Sequence, residues 1–284
     1  MSTPTRPGFA AVQRAVGAYA RVDRAVKTVG HVARLVADGA LGAALDDDEK
    51  MRLTVGLYDL DLRVYQPAGG LWDWEEAWLA RRLPPAPARI LIGAAGAGRE
   101  AVALADRGYQ VAAFEPAAQM CARAIDSAGG RYPVVRADYA DLVDAVAGRN
   151  VALRSIVAEP WDAVLFGWTS LSHLLDPHGR ARALAAASQL APRGPILVSF
   201  VARLGTPGAP TSRIWRLARR VGSAAARLRG LDTAVNADGA QFDRSVGFVQ
   251  PYAPEDLAAM GAALGRATIH EADPGFPHVT FAPT

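Results

Sequence analysis

A single cysteine, Cys121, is all the thiol this chain carries. It excludes an internal disulfide and any metal site built from several thiolates, and it suits a reducing compartment. Lysine is almost as scarce: Lys27 and Lys50 are the only two, so nearly all of the positive charge is arginine. The isoelectric point of 9.2 looks basic, yet the formal excess is only +3, and no dense Lys/Arg tract with interleaved aromatics is present. Nucleic acid is therefore not an expected partner. No run approaches the ~20 uninterrupted apolar residues of a membrane span, and the first residues lack the continuous apolar core of a secretory signal. The expected location is the cytoplasm, with no membrane partner. What is abundant is core material: 51% of the 284 residues are hydrophobic, enough for one large domain or two modest ones.

The chain is organised around residues 88–116, ARILIGAAGAGREAVALADRGYQVAAFEP. Ile90, Leu91 and Ile92 form an apolar run too short for a helix and bounded by glycine, the pattern of a buried parallel strand. Gly93, Gly96 and Gly98 break it and allow positive φ and close approach of a ligand to the main chain. A helix over about 99–107 then offers unpaired N–H groups at its start. Gly108 stops it, residues 110–114 return as a second strand, and Glu115 ends that strand.

Before this unit the first 85 residues read as helical. Val12, Val16, Tyr19 and Ala20, then Val22, Val26, Val29 and Val32, recur at helical spacing and predict one or two amphipathic helices. The acidic run 46–49 suits a helix N-terminus, with Met51, Leu53, Val55 and 57–60 as its apolar continuation. A loop around Pro67, Gly69 and Gly70 leads to a helix over about 72–83, ended by prolines.

After the second strand the alternation continues. A helix over 117–128, a short strand over 133–136, a helical fragment over 141–146 and a polar connection over 148–160 precede a fourth strand, 161–168. Asp176 and Pro177 stand as N-cap and first residue of a helix reaching Leu190, and 195–201 is strand five. Residues 203–247 interrupt the rhythm with an arginine-rich helix and a polar loop over 236–243. A helix over 254–264 and strands over 268–271 and 278–281 close the chain, the strands as an antiparallel pair. Strands alternating with helices imply a mostly parallel sheet covered on both faces.

These residues, from about Ile90 to Phe281, resemble the class I S-adenosylmethionine-dependent methyltransferases. The resemblance implies a doubly wound, mostly parallel seven-stranded Rossmann-like sheet with an antiparallel C-terminal hairpin. It implies a helical cap over 1–85, a core over 86–284 and a helical insertion at about 203–247. It also implies S-adenosylmethionine as cofactor and transfer of a methyl group to the hydroxyl or amine of a small molecule. Gly96 and Gly98, with Gly93 and Ala94, match the glycine turn against the methionine part of the cofactor. Glu115, followed by Pro116, matches the acid that accepts from both ribose hydroxyls. Asp138, with Tyr139, matches the acid that accepts from the adenine amino group, and Gly167 lies where strand four opens on the reacting methyl. Residues 190–194 resemble the turn before strand five, with Arg193 where glycine is common. No Asn-Pro-Pro-Tyr signature of nucleic-acid methyltransferases is present. No metal is implied, and a homodimer is compatible with the pattern.

The family commonly carries an acid two residues before the first glycine of the turn; here Ile92 stands there and Ala94 replaces that glycine. The cofactor's amino group is then expected to use a backbone carbonyl or a residue of the N-terminal helices. Two rival readings stay open. Gly96-x-Gly98-x-x-Ala101 with Glu115 also satisfies a dinucleotide pattern, which would make the chain an NAD(P)-dependent oxidoreductase. Alternatively the chain is a non-catalytic, methyltransferase-like partner subunit.

His173 is the expected catalytic side chain, a general base for an acceptor that must lose a proton. It also fits a histidine bonded to a neighbouring loop. His178 falls near a helix start, and His270 and His278 on the edge hairpin, farther from the chemistry. Tyr65, Trp72 and Trp168 are the expected substrate contacts, because aromatic faces suit a cationic sulfonium or an apolar acceptor. Trp74 and Trp78 read as core, and the arginine helix as either a solvated surface or a substrate lid.

Overall fold

The computed structural model describes residues 9–60, 70–203, 213–231, 240–243, 246–271 and 277–284, with side chains described from residue 18 onward except at 34, 35, 38, 215 and 243. The described chain forms two compact units, one of residues 1–45 with 208–237 and one of 46–207 with 238–284. Residues 46–85 fall in the same compact unit as the sheet.

The smaller unit pairs α1 (Phe9–Ala44) with α9 (Arg213–Leu228). Gly222 lets them touch: a Cβ there would come 2.3 Å from the Ala40 carbonyl oxygen. Arg229 donates to the Ala44 carbonyl at 2.9 Å. Tyr19, Val22, Val26 and Val29, whose spacing predicted an apolar face, are exposed.

The larger unit contains α2 (Asp47–Leu60), α3 (Asp73–Arg82), β1 (Arg89–Gly93), α4 (Arg99–Asp106), β2 (Gln110–Phe114), α5 (Ala118–Ala128) and β3 (Val134–Val135). There follow α6 (Tyr139–Val146), α7 (Arg154–Val157), β4 (Ala163–Phe166), a 3-10 turn (Ser170–His173), α8 (Pro177–Leu190) and β5 (Ile196–Ser199). The chain closes with β6 (Gln241–Asp243), β7 (Gly247–Val249), α10 (Pro254–Ala263), β8 (Arg266–His270) and β9 (His278–Pro283). Seven strands form one sheet in the order β3-β2-β1-β4-β5-β9-β8. The first five run parallel, and β9 pairs antiparallel with both β5 and β8.

Each apolar run forms its strand because both faces are covered. Ile90, Leu91 and Ile92 are fully buried, Leu91 on the face under α6 and α8, Ile90 and Ile92 on the face under α3 and α4. Burying each such side chain contributes ~1.5–3 kcal/mol. Asp176 caps α8 by accepting the His178 and Gly179 amides, with Pro177 as the first helical residue. Arg266 fastens the far edge, donating to the Gly194 and Ala191 carbonyls at 2.6 Å each and to Ser188 Oγ at 2.8 Å.

Two segments depart from the expectation. The connection over 148–160 contains α7, held by the buried Leu153 and Ile156 and by a bond from the Trp161 indole to the Ile156 carbonyl. The polar loop over 236–243 ends in β6, which pairs with β7 because Phe242 and Phe248 stand directly opposite with rings 5.0 Å apart.

Gly194 opens β5 where a Cβ would lie 1.9 Å from the Asp162 carbonyl oxygen, whereas Gly129, at the end of α5, has φ of 57° and nothing within 4 Å of an added Cβ. Gly194→Ala is expected to cost about 1–3 kcal/mol through overpacking, and Gly129→Ala only about 1 kcal/mol of backbone strain. Urea midpoints for both variants check the order; equal midpoints would show that the β5 turn yields.

Candidate active site

The parallel strands end together, and a cavity of about 660 Å3 lies beyond their C-terminal ends. This is the crevice where open α/β sheets bind ligands, and its size is that of a small-molecule site. Ala94 and Gly96 border it after β1, Glu115 and Pro116 after β2, Asp138 and Tyr139 after β3, and Trp168, Ser170 and His173 after β4. α2 contributes Met51, Thr54, Val55 and Tyr58, one helical face at spacings of three and four.

The turn after β1 is shaped by contacts on both sides. Ala94 holds φ of 51°, the left-handed conformation that glycine adopts without strain and that costs an L residue roughly 1–2 kcal/mol. Gly96 has φ of 57° with nothing within 4 Å of an added Cβ, so its main chain faces open space. Gly93, Gly98 and Gly167 do not line the cavity. Gly93 lies under the Phe114 and Tyr139 rings, Gly98 against the Ala124 backbone, and Gly167 so near the turn that a Cβ would be 2.3 Å from the Ala94 carbonyl oxygen. They permit the close packing that brings the strand ends together.

Glu115 is almost fully buried, its Oε2 accepting the Gly96 amide at 2.8 Å and its Oε1 the Ala117 amide at 2.9 Å. Burial pushes its carboxyl up to about 7, against the pull of those two amides. Asp138 caps α6, its Oδ1 accepting from Asp141 at 2.9 Å. Tyr139 turns into the core: its hydroxyl bonds Ser170 Oγ at 2.8 Å and its ring stacks on Phe166 at 4.7 Å, and burial raises its pKa strongly.

His173 is held from both sides. Its Nδ1 lies 2.9 Å from the Phe248 carbonyl and its Nε2 3.0 Å from the Tyr58 hydroxyl. A carbonyl only accepts, so Nδ1 carries the proton and Nε2 is the acceptor of the Tyr58 O–H. Burial lowers the pKa of the ring, which keeps it neutral, while the Phe248 carbonyl opposes that shift. The bond to a neighbouring segment and the position in the cavity are thus both realised.

Trp72 and Trp168 line the cavity together, with ring centroids 4.8 Å apart, and Tyr65 lies outside the described residues. Trp74 and Trp78 stack away from it toward His278, and Trp78 donates to Thr280 Oγ1 at 3.0 Å. His178 and His270 are exposed. Tyr58, which the sequence offers with Tyr65, Trp72 and Trp74 as an aromatic preceding β1, borders the cavity from the helical face it shares with Met51 and Val55. The Arg99 and Glu100 pair at the start of α4 also borders it, with no signal in the sequence to mark it. Among the described residues no three His, Cys, Asp or Glu side chains stand close enough to hold a metal, and no helix is long and apolar enough to cross a membrane.

A carboxyl that keeps its proton longer in the folded state than in the unfolded chain stabilises the fold at low pH. For Glu115 that contribution is complete below 4.5 and is lost as pH rises through about 7. The ligand-free protein is expected to lose up to about 3 kcal/mol more than Glu115→Gln over this interval. Urea midpoints of both proteins at pH 4.5 and 8 check it, and parallel pH profiles would refute it.

No family model matches the chain, and a search of curated proteins finds no match. Among solved structures it is similar to the CcbJ methyltransferase of Streptomyces caelestis, 17% identical over 81% of this chain and 98% of that one, with a TM-score of 0.53. It is similar also to the magnesium protoporphyrin IX methyltransferase of Synechocystis, solved with S-adenosylmethionine bound, at 13% identity over 85% and 99% of the two chains and a TM-score of 0.51. A third, from Rhodobacter sphaeroides, bears the name of the Zn-dependent alcohol dehydrogenases, at 14% identity over 81% and 98% and a TM-score of 0.51. Likeness at such identities speaks of architecture, and with the strand order and the antiparallel β9 it is decisive there: the chain has the class I S-adenosylmethionine-dependent methyltransferase fold.

Proposed function

We propose that the chain is an S-adenosylmethionine-dependent methyltransferase acting on a small-molecule hydroxyl or amine. The observation that carries this reading is Glu115, a buried carboxylate at the end of β2 that borders the cavity and stands against the open main chain of Gly96. A carboxylate has about four acceptor sites, and the amides of Gly96 and Ala117 account for two. The remaining capacity fits the two hydroxyls of a ribose. Asp138, with one oxygen committed to the α6 cap, sits on the next strand end for the adenine, and Gly96 lets the amino-acid part approach the backbone. The residues present therefore fit the cofactor.

When bound, the cofactor supplies an electrophilic methyl on a sulfonium. The chain's own part is to hold the acceptor in line about 3 Å from that carbon, to exclude water and, where needed, to take a proton. Trp72 and Trp168 offer aromatic faces that favour a cation and shed water. His173, neutral with Nε2 as its acceptor atom, is the base we assign, and Tyr58 is the hydroxyl through which an acceptor proton reaches it. The acceptor we assign is a small molecule, since the cavity bordered by α2, α6 and α8 has the volume of a small-molecule site.

Titration calorimetry with S-adenosylmethionine, NAD+ and NADP+ separates this reading from the alternatives. We expect S-adenosylmethionine alone to bind, and Glu115→Ala to weaken it by ~1–3 kcal/mol. Binding of only a dinucleotide would make the chain an oxidoreductase, and binding of none would leave a non-catalytic subunit.

In a screen of hydroxyl and amine acceptors with radiolabelled methyl donor, His173→Ala is expected to lower turnover ~10²–10⁴-fold with cofactor affinity unchanged. Full turnover in that variant would remove His173 from the chemistry.

A further inference from the structure

The amino-acid part of S-adenosylmethionine carries an α-ammonium, a buried cation in need of an anionic partner. β1 offers none. Ile92, at the position where an acid would be expected, is fully buried and packs among Trp78, Leu79 and Leu104 under α3 and α4. Among the other acids bordering the cavity, Glu115 is bonded to the Gly96 turn, Asp47 pairs with Lys50, Asp144 pairs with Arg149, Asp138 and Asp176 cap helices, and Asp48 is exposed. We propose that Glu100, from the first turn of α4, holds the α-ammonium; this rests on the methyltransferase reading.

Two observations support it. The first is position. Glu100 borders both the cavity beside Gly96 and the small void it shares with Trp78, Leu79 and Leu165, on the face of the sheet where Ile92 is buried. The second is charge balance. Arg99 binds Glu75 through both of its terminal nitrogens and Glu100 Oε1 at 2.8 Å. Glu75 is 4% exposed and Glu100 6%, so two carboxylates share one guanidinium and, when both are ionised, one negative charge is in excess. Burial raises the pKa of Glu100 in spite of Arg99, with Glu75 adding to the rise, so the ligand-free cluster resists its own full ionisation. An ammonium restores neutrality where Arg99 cannot, because its single positive charge is shared between Glu75 and Glu100.

Calorimetry of the wild type and Glu100→Gln with S-adenosylhomocysteine and 5′-methylthioadenosine tests this, since both are uncharged at sulfur and only the first has the ammonium. The variant is expected to bind S-adenosylhomocysteine at least about tenfold more weakly, the loss of a charge-assisted bond, and methylthioadenosine within about twofold of wild type. Retained methylthioadenosine binding also shows that the variant is folded. Equal losses for both ligands would make Glu100 structural and overturn the proposal, as would no loss for either. Weakened S-adenosylmethionine with unchanged S-adenosylhomocysteine would assign the carboxylate to the sulfonium instead, and also overturn it. A wild type that binds none of the three would refute the methyltransferase reading itself, a separate failure.

Discussion

The carboxylate of Glu115 ties the C-terminal end of the parallel strands together. One oxygen takes the Gly96 amide from the turn after β1, the other takes the Ala117 amide at the entry to α5, and the Ala95 amide reaches back to the Phe114 carbonyl at 3.1 Å. The turn after β1, the end of β2 and the entry to α5 are thereby held in one geometry. The turn behind it is crowded, with Gly167 against the Ala94 carbonyl and Gly98 against α5, so it has little freedom to rearrange. Burying a carboxylate under these conditions is unfavourable unless its acceptor sites are filled. Two amides do part of this, and the cost of leaving the remainder empty is what lifts its pKa.

The cavity wall around His173 is built on a different scaffold. Phe248 in β7 gives its amide to Thr54 Oγ1 of α2 at 2.9 Å and its carbonyl to His173 Nδ1. One residue thus fixes both the helix that carries Tyr58 and the histidine that Tyr58 meets. Gly247 makes this approach feasible, since a Cβ there would fall 2.6 Å from Thr54 Oγ1. The short β6–β7 ribbon, which adds nothing to the main sheet, owes its importance to this junction.

That division explains what could be read from the sequence. The strands announce themselves through apolar runs bounded by glycine, α8 through Asp176 and Pro177, and the ligand-binding strand ends through Glu115 and Asp138, because each signal is local. The meeting of Tyr58 with His173 joins residues 115 positions apart, and the β6–β7 pairing depends on two phenylalanines facing one another across a turn. Neither leaves a local pattern. Gly93, Gly98 and Gly167 show the opposite limit: a glycine reads the same whether a ligand or a neighbouring chain segment needs the space. The association of 208–237 with α1 is invisible for a similar reason, since the small residues at the contact, Gly222 and Ala40, are common throughout an alanine-rich chain.

A row of tryptophans borders the turn from the other side. Trp78 and Trp74 stack on one another and against His278 of β9, Trp74 continues to Trp72, and Trp72 lies between Trp168 and the Arg99 guanidinium. This row leads from the antiparallel edge of the sheet to the cavity wall. Rigid rings with few rotatable bonds lose little entropy on ordering, so such a row can define a wall without the cost that long aliphatic side chains would carry. Arg99, lying over the Trp72 ring and bonded to both Glu75 and Glu100, joins this row to the start of α4, so the charged cluster there is packed against aromatic surface instead of water.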